Sequence, residues 1–157
     1  MKIQLWAIGK HHEPYVKEGI EDFTHRISKY FTVEWTIIPP PKNAGLIPEE
    51  ELKKKEGEAI MNMLRKDDCL VALDERGKQL SSVDLSKFLQ AKANDSTKNL
   101  IFLIGGAFGL DLQVIKRANL QWSLSLLTFP HQLVRLILAE QLYRSCSILR
   151  NEKYHHA

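Results

Sequence analysis

Three separated segments in the last third of the chain carry residue types that could bind a ligand and do chemistry. They are a glycine loop at 105–109, a proline-started segment at 128–132 and the terminal run Tyr154-His155-His156. Glycines let a ligand approach the backbone closely, while tyrosine and histidine side chains donate and accept hydrogen bonds. The pattern predicts one site assembled from three distant parts of the chain.

The glycine loop differs from the common phosphate-binding motifs. Its spacing is Gly-Gly-x-x-Gly rather than Gly-x-Gly-x-x-Gly, and it lacks the Gly-Lys-Ser/Thr ending of a P-loop. The first predicted strand ends in Gly9-Lys10-His11, which also fails the dinucleotide pattern. These departures disfavour NAD and ATP. A glycine loop suits an adenosine that carries a sulfonium, but its spacing is explained equally well by a tight turn between a strand and a helix.

Other charged residues have ordinary explanations beside the chemical ones. No serine or cysteine near His131 completes a nucleophilic triad, so we do not expect it to be catalytic. Glu140 and Arg144 stand four apart in a predicted helix, which favours an ion pair within the helix over contact with a substrate. The Lys53-Lys54-Lys55 run lies among glutamates and predicts a solvated helix face. Basic residues outnumber acidic ones after position 131, which suits phosphate contacts.

Length and composition predict one globular domain, residues 1–157. Of the 157 residues, 44% are hydrophobic and 26% charged, and the net charge is +3. This balance is typical of a soluble protein, and the mild positive charge permits nucleic-acid binding without requiring it. No run reaches the about 20 apolar residues of a membrane-spanning helix, and the N-terminus resembles a strand rather than a signal peptide. We therefore expect a cytoplasmic protein with no membrane partner.

The two cysteines, Cys69 and Cys146, both lie in apolar sequence contexts. Neither shows the spacing of a metal-ligand motif. We expect two buried free thiols, with no disulfide and no metal site.

Strand and helix patterns alternate along the whole chain. Apolar or alternating runs predict strands, and periodic apolar stripes predict helices. The predicted strands are 2–8, 32–38, 69–73, 100–104 and about 122–127; the predicted helices are about 14–30, 48–66, 82–92, 110–118 and a long helix from Pro130. Turn residues 74–77 are expected to close the third strand. Trp6, Trp35 and Trp122 fall in strands, and we expect them in the core.

This alternation predicts an α/β fold with a mostly parallel sheet and helices on both faces. Ligands of such sheets bind beyond the carboxyl ends of the strands, so the loops 73–78, 105–109 and 124–129 are expected to meet there. The segment 133–139 is apolar around most of its predicted helix, which is more than one core-facing stripe requires. It predicts a surface that associates with a second copy.

Several ordered motifs together resemble the ribosomal large-subunit methyltransferase H family of the SPOUT superfamily. They are Met1-Lys2-Ile3, Lys55-Glu56-Gly57-Glu58, Leu73-Asp74, Ile104-Gly105-Gly106, Phe129-Pro130-His131 and Tyr154-His155-His156. The likeness covers essentially the whole chain. It implies a C-terminal trefoil (α/β) knot of the SPOUT type, an exception to the rule that chains are unknotted.

The resemblance also implies a cofactor, a partner and a substrate. S-adenosylmethionine would bind in the knot, at Leu73, Gly105, Leu124, Ser125, Leu126, Leu127, Thr128 and Phe129. The protein would be a homodimer. Its substrate would be a pseudouridine of 23S rRNA, methylated at N3 in a stem-loop that bridges the ribosomal subunits, so the partner is the assembled ribosome.

Three residues are expected to act on the acceptor base, by their position in the family motif. Methyl transfer is an in-line displacement, so an enzyme must chiefly align the reacting atoms and help the N3 proton depart. Tyr154 would stack on or orient the base, His155 would accept the proton or hold phosphate, and Arg144 would anchor the RNA. In a dimer this tail could serve the partner's site. Without the resemblance, a disordered terminus is the simpler interpretation of these last residues.

Two other functions use the same features. One is a SPOUT methyltransferase that acts on tRNA, and the other is a non-catalytic dimer that binds the ribosome. One departure from the family concerns the cofactor: the loop is Gly-Gly-Ala-Phe-Gly, whereas relatives often carry a polar or acidic residue near Phe108. A phenylalanine there would pack over the cofactor but form no hydrogen bond with it.

Overall fold

The computed structural model, which describes residues 1–156, contains a five-stranded parallel sheet. Its strands are β1 (Lys2–Ile8), β2 (Thr32–Ile38), β3 (Cys69–Gln79), β4 (Asn99–Ile104) and β5 (Leu120–Ser123), in the order β2-β1-β4-β3-β5. The helices are α1 (Pro14–Ile27), α2 (Glu49–Met63), α3 (Ser82–Asn94), α4 (Leu112–Arg117) and α5 (His131–Leu149), with a 3-10 turn at Ala44–Leu46. The predicted parallel α/β sheet is confirmed.

Helices cover both faces of the sheet, as predicted. Because neighbouring side chains of a strand point to opposite faces, β4 sends Phe102 into one core and Leu103 into the other. The first core contains side chains of α1, α3 and α5, and the second contains Ile60 of α2 and Val114 of α4. The central strands β1 and β4 and the first half of β3 are therefore buried on both sides, which explains the nearly all-apolar sequence of β4.

Two strand boundaries were predicted wrongly. Residues 74–77 do not end β3: the strand continues to Gln79, and its pairing with β5 shifts register between Leu73 and Lys78. Gly77 permits this pairing, because a Cβ there would lie 2.6 Å from the carbonyl of Gln121. In turn, β5 ends at Ser123 rather than at about 127. The Ser123 hydroxyl donates to the carbonyl of Ser125, which turns the chain out of the sheet (2.9 Å).

The start of α5 is bound to the loop that follows β1. Gln132 accepts a hydrogen bond from the backbone of Glu13 (3.0 Å), and Arg135 donates one to the carbonyl of Lys10 (2.8 Å). Pro130 precedes the first helical residue instead of lying in the first turn. These bonds bring α5 to the carboxyl edge of the sheet.

The remaining expectations concern thiols, tryptophans and membrane spans. Cys69 and Cys146 are buried free thiols, as predicted, and burial raises the pKa of Cys146 to about 12. Trp6 and Trp122 are buried, whereas Trp35 is half-exposed. Within residues 1–156, none of the helices combines the length and apolar character needed to cross a membrane.

Candidate active site

A cavity of about 500 Å³ opens at the carboxyl ends of β3, β4 and β5. This is the edge at which open α/β sheets bind ligands, and the volume lies in the range of small-molecule sites. Its walls come from the three predicted loops, from the start of α5 and from one side chain of α2. The three loops therefore meet, as the alternating pattern predicted.

Seven of the eight residues expected to hold the cofactor line this one cavity. They are Leu73, Gly105, Leu124, Ser125, Leu127, Thr128 and Phe129. The eighth, Leu126, lies outside the lining and is 81% exposed. The segment that contains it is held by a hydrogen bond from the backbone of Leu127 to the Ser125 hydroxyl (3.0 Å).

The glycine loop is both a tight turn and a wall of the cavity. The backbone of Gly109 donates to the carbonyl of Gly106 at 3.1 Å, and the φ of +85° at Gly109 is one that glycine adopts readily. A Cβ on Gly105 would lie 2.9 Å from the side chain of Leu110, so a larger residue would displace the loop. Phe108 lies at the tip of the turn and is 47% exposed.

Polar bonds order the second half of β3 and connect it to the loop after β5. The Thr128 hydroxyl donates to the carboxylate of Glu75 (3.4 Å), and the backbone of Arg76 donates to Asp74 (2.8 Å). Burial alone would raise the pKa of Asp74, but the hydrogen bonds from Arg76 lower it overall. Asp74 is therefore ionised at neutral pH.

Two cavity residues escaped the sequence analysis. Lys53 lines the cavity, although the lysine run predicted a solvated face; only the packing of α2 distinguishes it from its neighbours. Trp122 was expected to be a core residue, yet it also lines the cavity, and its buried Nε1 has no hydrogen-bond partner within residues 1–156. Buried indole N–H groups usually find an acceptor, and this one has none among residues 1–156.

His131 lies in the cavity wall beside a buried arginine. The Arg135 side chain is 1% exposed and its Nη1 approaches His12 Nδ1 at 3.3 Å. Burial, and then the charge of Arg135, lower the pKa of His131. Both causes favour a neutral imidazole at neutral pH. His12 is half-buried rather than the exposed loop residue that its sequence context indicates, and the same two causes lower its pKa.

The residues predicted to act on the base form a second cluster, at the C-terminal end of α5. Arg144 donates to Glu140 from Nε (2.9 Å) and lies 3.1 Å from Nδ1 of His155, and the Tyr154 hydroxyl donates to Glu140 (3.0 Å). The ring of Tyr154 also packs edge-on against Tyr143, with 4.7 Å between centroids. The tail is therefore bound to the helix, and a disordered terminus was the wrong alternative for 154 and 155.

This tail cluster of Glu140, Arg144, Tyr154 and His155 does not line the cavity of its own chain. The structure thus assembles the predicted cofactor residues in one place and the predicted catalytic residues in another. The expected ion pair of Glu140 with Arg144 forms. Burial, and then the bond to Glu140, raise the pKa of Tyr154, so its phenol stays protonated at neutral pH.

The geometry determines which nitrogen of His155 carries its proton. A guanidinium offers only donors, so Nδ1 of His155 accepts from Arg144 and the ring proton lies on Nε2. Held in this way, the imidazole presents a donor. It suits a phosphate or a carbonyl better than it suits removal of a proton.

Among the residues that the structure describes, no group of three or more histidine, cysteine, aspartate or glutamate side chains could hold a metal ion.

Comparisons with known proteins agree over nearly the full length. A family model described as "Predicted SPOUT methyltransferase" matches residues 1–155. A relative from Cytophaga hutchinsonii is 47% identical over 156 residues, covering 99% of this chain and 100% of its own. Relatives from Flavobacterium johnsoniae and Parabacteroides distasonis are 47% and 43% identical, each over 99% of both chains. All three are named ribosomal RNA large subunit methyltransferase H.

Proposed function

The chain belongs to the SPOUT methyltransferase family, and on that premise we propose that it methylates N3 of a pseudouridine in 23S rRNA. S-adenosylmethionine would supply the methyl group from its sulfonium. The names of full-length relatives support an rRNA substrate. The observation that carries the proposal is the single cavity into which three distant segments bring seven residues expected to hold the cofactor.

The cavity fits this cofactor in shape and in chemistry. Its volume of about 500 Å³ suits one ligand of this size. The unpaired Nε1 of Trp122 offers a donor to an adenine or a carboxylate, and Gly105 leaves space where any Cβ would crowd Leu110. Leu73, Leu124 and Phe129 supply apolar surface for a nucleoside. We infer a C-terminal trefoil knot from family membership as well.

Few side chains need to take part in the reaction itself. Alignment of donor and acceptor supplies most of what an in-line methyl transfer requires. In our proposal Tyr154 orients the extruded base, Arg144 anchors the RNA backbone, and His155 donates from Nε2 to a phosphate or a base carbonyl. The donor geometry of His155 favours this role over proton removal.

A homodimer would bring the two clusters together. Because the tail cluster lies outside the cavity of its own chain, we propose that it completes the cavity of a second copy. Leu126 is 81% exposed and Leu127 69%, an apolar surface that a second copy would cover. The substrate would be presented by assembled ribosomes in the cytoplasm.

Label transfer tests this proposal. Purified protein and methyl-labelled S-adenosylmethionine are incubated with assembled ribosomes that lack the modification, and with separated subunits and tRNA in parallel. We expect label at N3 of one pseudouridine of 23S rRNA, in assembled ribosomes. Label in tRNA would mean that the substrate is a tRNA and not 23S rRNA. Cofactor binding without methyl transfer to any RNA would instead favour a non-catalytic dimer that binds the ribosome.

A further inference from the structure

Glu56 is a buried carboxylate that the proposed reaction does not use. It lies on α2, is 7% exposed, and faces the glycine loop. Both of its carboxylate oxygens lie 2.9 Å from the position that a Cβ on Gly106 would occupy. The structure records no hydrogen bond or ion pair to this carboxylate from any residue in 1–156. Its oxygens are not among the fully enclosed unpaired polar atoms of residues 1–156, so they keep some accessible surface; a carboxylate this close to full burial is nevertheless usually paired with a cation or a donor.

The groups around Glu56 do not neutralise it. Asp111, at the start of α4, packs against Gly57 and is itself an acid. Lys53, one turn earlier on α2, lines the cavity and forms no ion pair within the described chain. The glycine loop at 105–110 contains no charged residue. Burial is accordingly the cause that raises the pKa of Glu56.

Only a glycine separates this carboxylate from the cavity. Gly106 lines the cavity on one side and contacts Glu56 on the other. A side chain at 106 would have to displace the carboxylate. A ligand in the cavity therefore experiences a negative charge across the glycine loop, next to protein in which electrostatic interactions are stronger than in solvent.

We propose that Glu56 makes the cavity prefer a sulfonium cation over the neutral thioether that remains after methyl transfer. This inference rests on the proposed cofactor. S-adenosylmethionine and S-adenosylhomocysteine share the adenosine and the amino-acid parts and differ in the methyl group and charge at sulfur. The negative charge of Glu56 stabilises bound S-adenosylmethionine, which is a cation at sulfur, and does not stabilise bound S-adenosylhomocysteine. It binds the methyl donor and speeds release of the product.

Calorimetry of both ligands with the wild type and with Glu56→Gln tests the proposal. Removing one partly screened charge should weaken S-adenosylmethionine about tenfold and leave S-adenosylhomocysteine within about twofold. Retained binding of the second ligand also shows that the variant is folded. Glu58→Gln, an exposed carboxylate two residues away on the same helix, is the matched control and should change neither affinity.

The wild type supplies a second, independent readout. Burial raises the pKa of Glu56; acid protonates the carboxyl and removes its charge, so the ratio of the two affinities should fall as the pH is lowered through that raised pKa. In the same pH range, S-adenosylmethionine should release a proton on binding, measurable as a dependence of the binding enthalpy on the buffer.

The possible failures are distinguishable. Equal weakening of both ligands by Glu56→Gln would mean that the carboxylate only supports the loop, and an unchanged ratio in the variant or across pH would also overturn the inference. Either result leaves the proposed function intact. Wild-type protein that binds neither ligand would overturn the proposed cofactor, and this inference with it.

Discussion

The cavity and the tail cluster are built in opposite ways. The cavity combines segments up to about 80 residues apart, from Lys53 to Val134, and its walls are strand ends fixed by the sheet. The tail cluster is local: Glu140, Arg144, Tyr154 and His155 lie within one helix and the few residues after it. One region depends on the whole fold, and the other depends on one turn of helix and a short return of the chain.

This difference indicates how the two halves of the proposed reaction are divided. The cofactor part of the cavity is lined by residues of one chain, so each chain should bind the cofactor by itself, and the tail of a second copy would add the groups that act on the base. The tail cluster presents an arginine, a phenol and an imidazole N–H, but these groups do not line the cavity at the sheet edge of their own chain. Cofactor binding and RNA methylation should therefore respond to different substitutions.

Loss of the arginine should produce the largest effect. Arg144→Ala removes the charge that we assign to the RNA backbone and frees His155 and Tyr154, so turnover should fall about 100- to 1000-fold. Cofactor affinity should not change, because Arg144 does not line the cavity. Methylation assays and calorimetry measure the two quantities. Arg150→Ala, an exposed arginine just beyond α5, is the control; a parallel loss of cofactor affinity in Arg144→Ala would contradict the separation.

Crowding the glycine loop should instead weaken binding of the cofactor. Gly105→Val places carbon atoms against Leu110, at a site where a Cβ alone would lie 2.9 Å from its side chain. Overpacking of about 1 to 3 kcal/mol would lower cofactor affinity roughly 5- to 150-fold. Calorimetry measures it. Gly45→Val has no atom within 4 Å of its Cβ and should leave affinity unchanged; an equal loss there would show that the effect is not local.

Mixing these two variants tests whether the clusters meet across a dimer. At a limiting cofactor concentration each variant alone should be strongly impaired, but a mixed dimer joins the intact cavity of the Arg144→Ala chain to the intact tail of the Gly105→Val chain. Random pairing makes half the dimers mixed, each with one working site of two, so about a quarter of wild-type activity should return. Each variant incubated alone through the same mixing protocol is the control. No recovery would mean that one chain supplies both clusters.

The sequence predicted the parts of this molecule that depend on local pattern. Alternation of strand and helix gave the parallel sheet, because strands buried on both faces must be apolar throughout. It failed at β3, since residues 74–77 have turn composition and their pairing with β5 is set by a distant strand. The conformation of residues 74–77 is therefore set by tertiary contact with β5 and not by their local turn composition.

The residues of the candidate site were also predictable only where local pattern determines them. Strand ends located the three loops, but nothing local distinguishes Lys53 from Lys54 and Lys55, and its place in the cavity follows from how α2 packs. Trp122 was predicted only as a core residue, and one side of its ring does pack in the first core. The binding of the tail to α5 depends on bonds to Glu140 that short-range pattern does not reveal.

The orphaned indole of Trp122 gives the smallest and most specific prediction for the cavity. Trp122→Phe removes a buried donor that has no partner within residues 1–156. Losing one hydrogen bond to the cofactor, about 1 kcal/mol, should weaken its binding roughly fivefold. Trp6→Phe is the matched control, because its Nε1 already donates to Gln4 at 3.1 Å and Trp6 does not line the cavity. Both variants lose similar ring volume, so thermal unfolding should show Trp6→Phe as the more destabilised apo protein, and calorimetry should show weaker cofactor binding in Trp122→Phe alone. A more destabilised Trp122→Phe apo protein, together with unchanged cofactor binding in that variant, would mean that the Trp122 indole contributes to packing and does not bind the ligand.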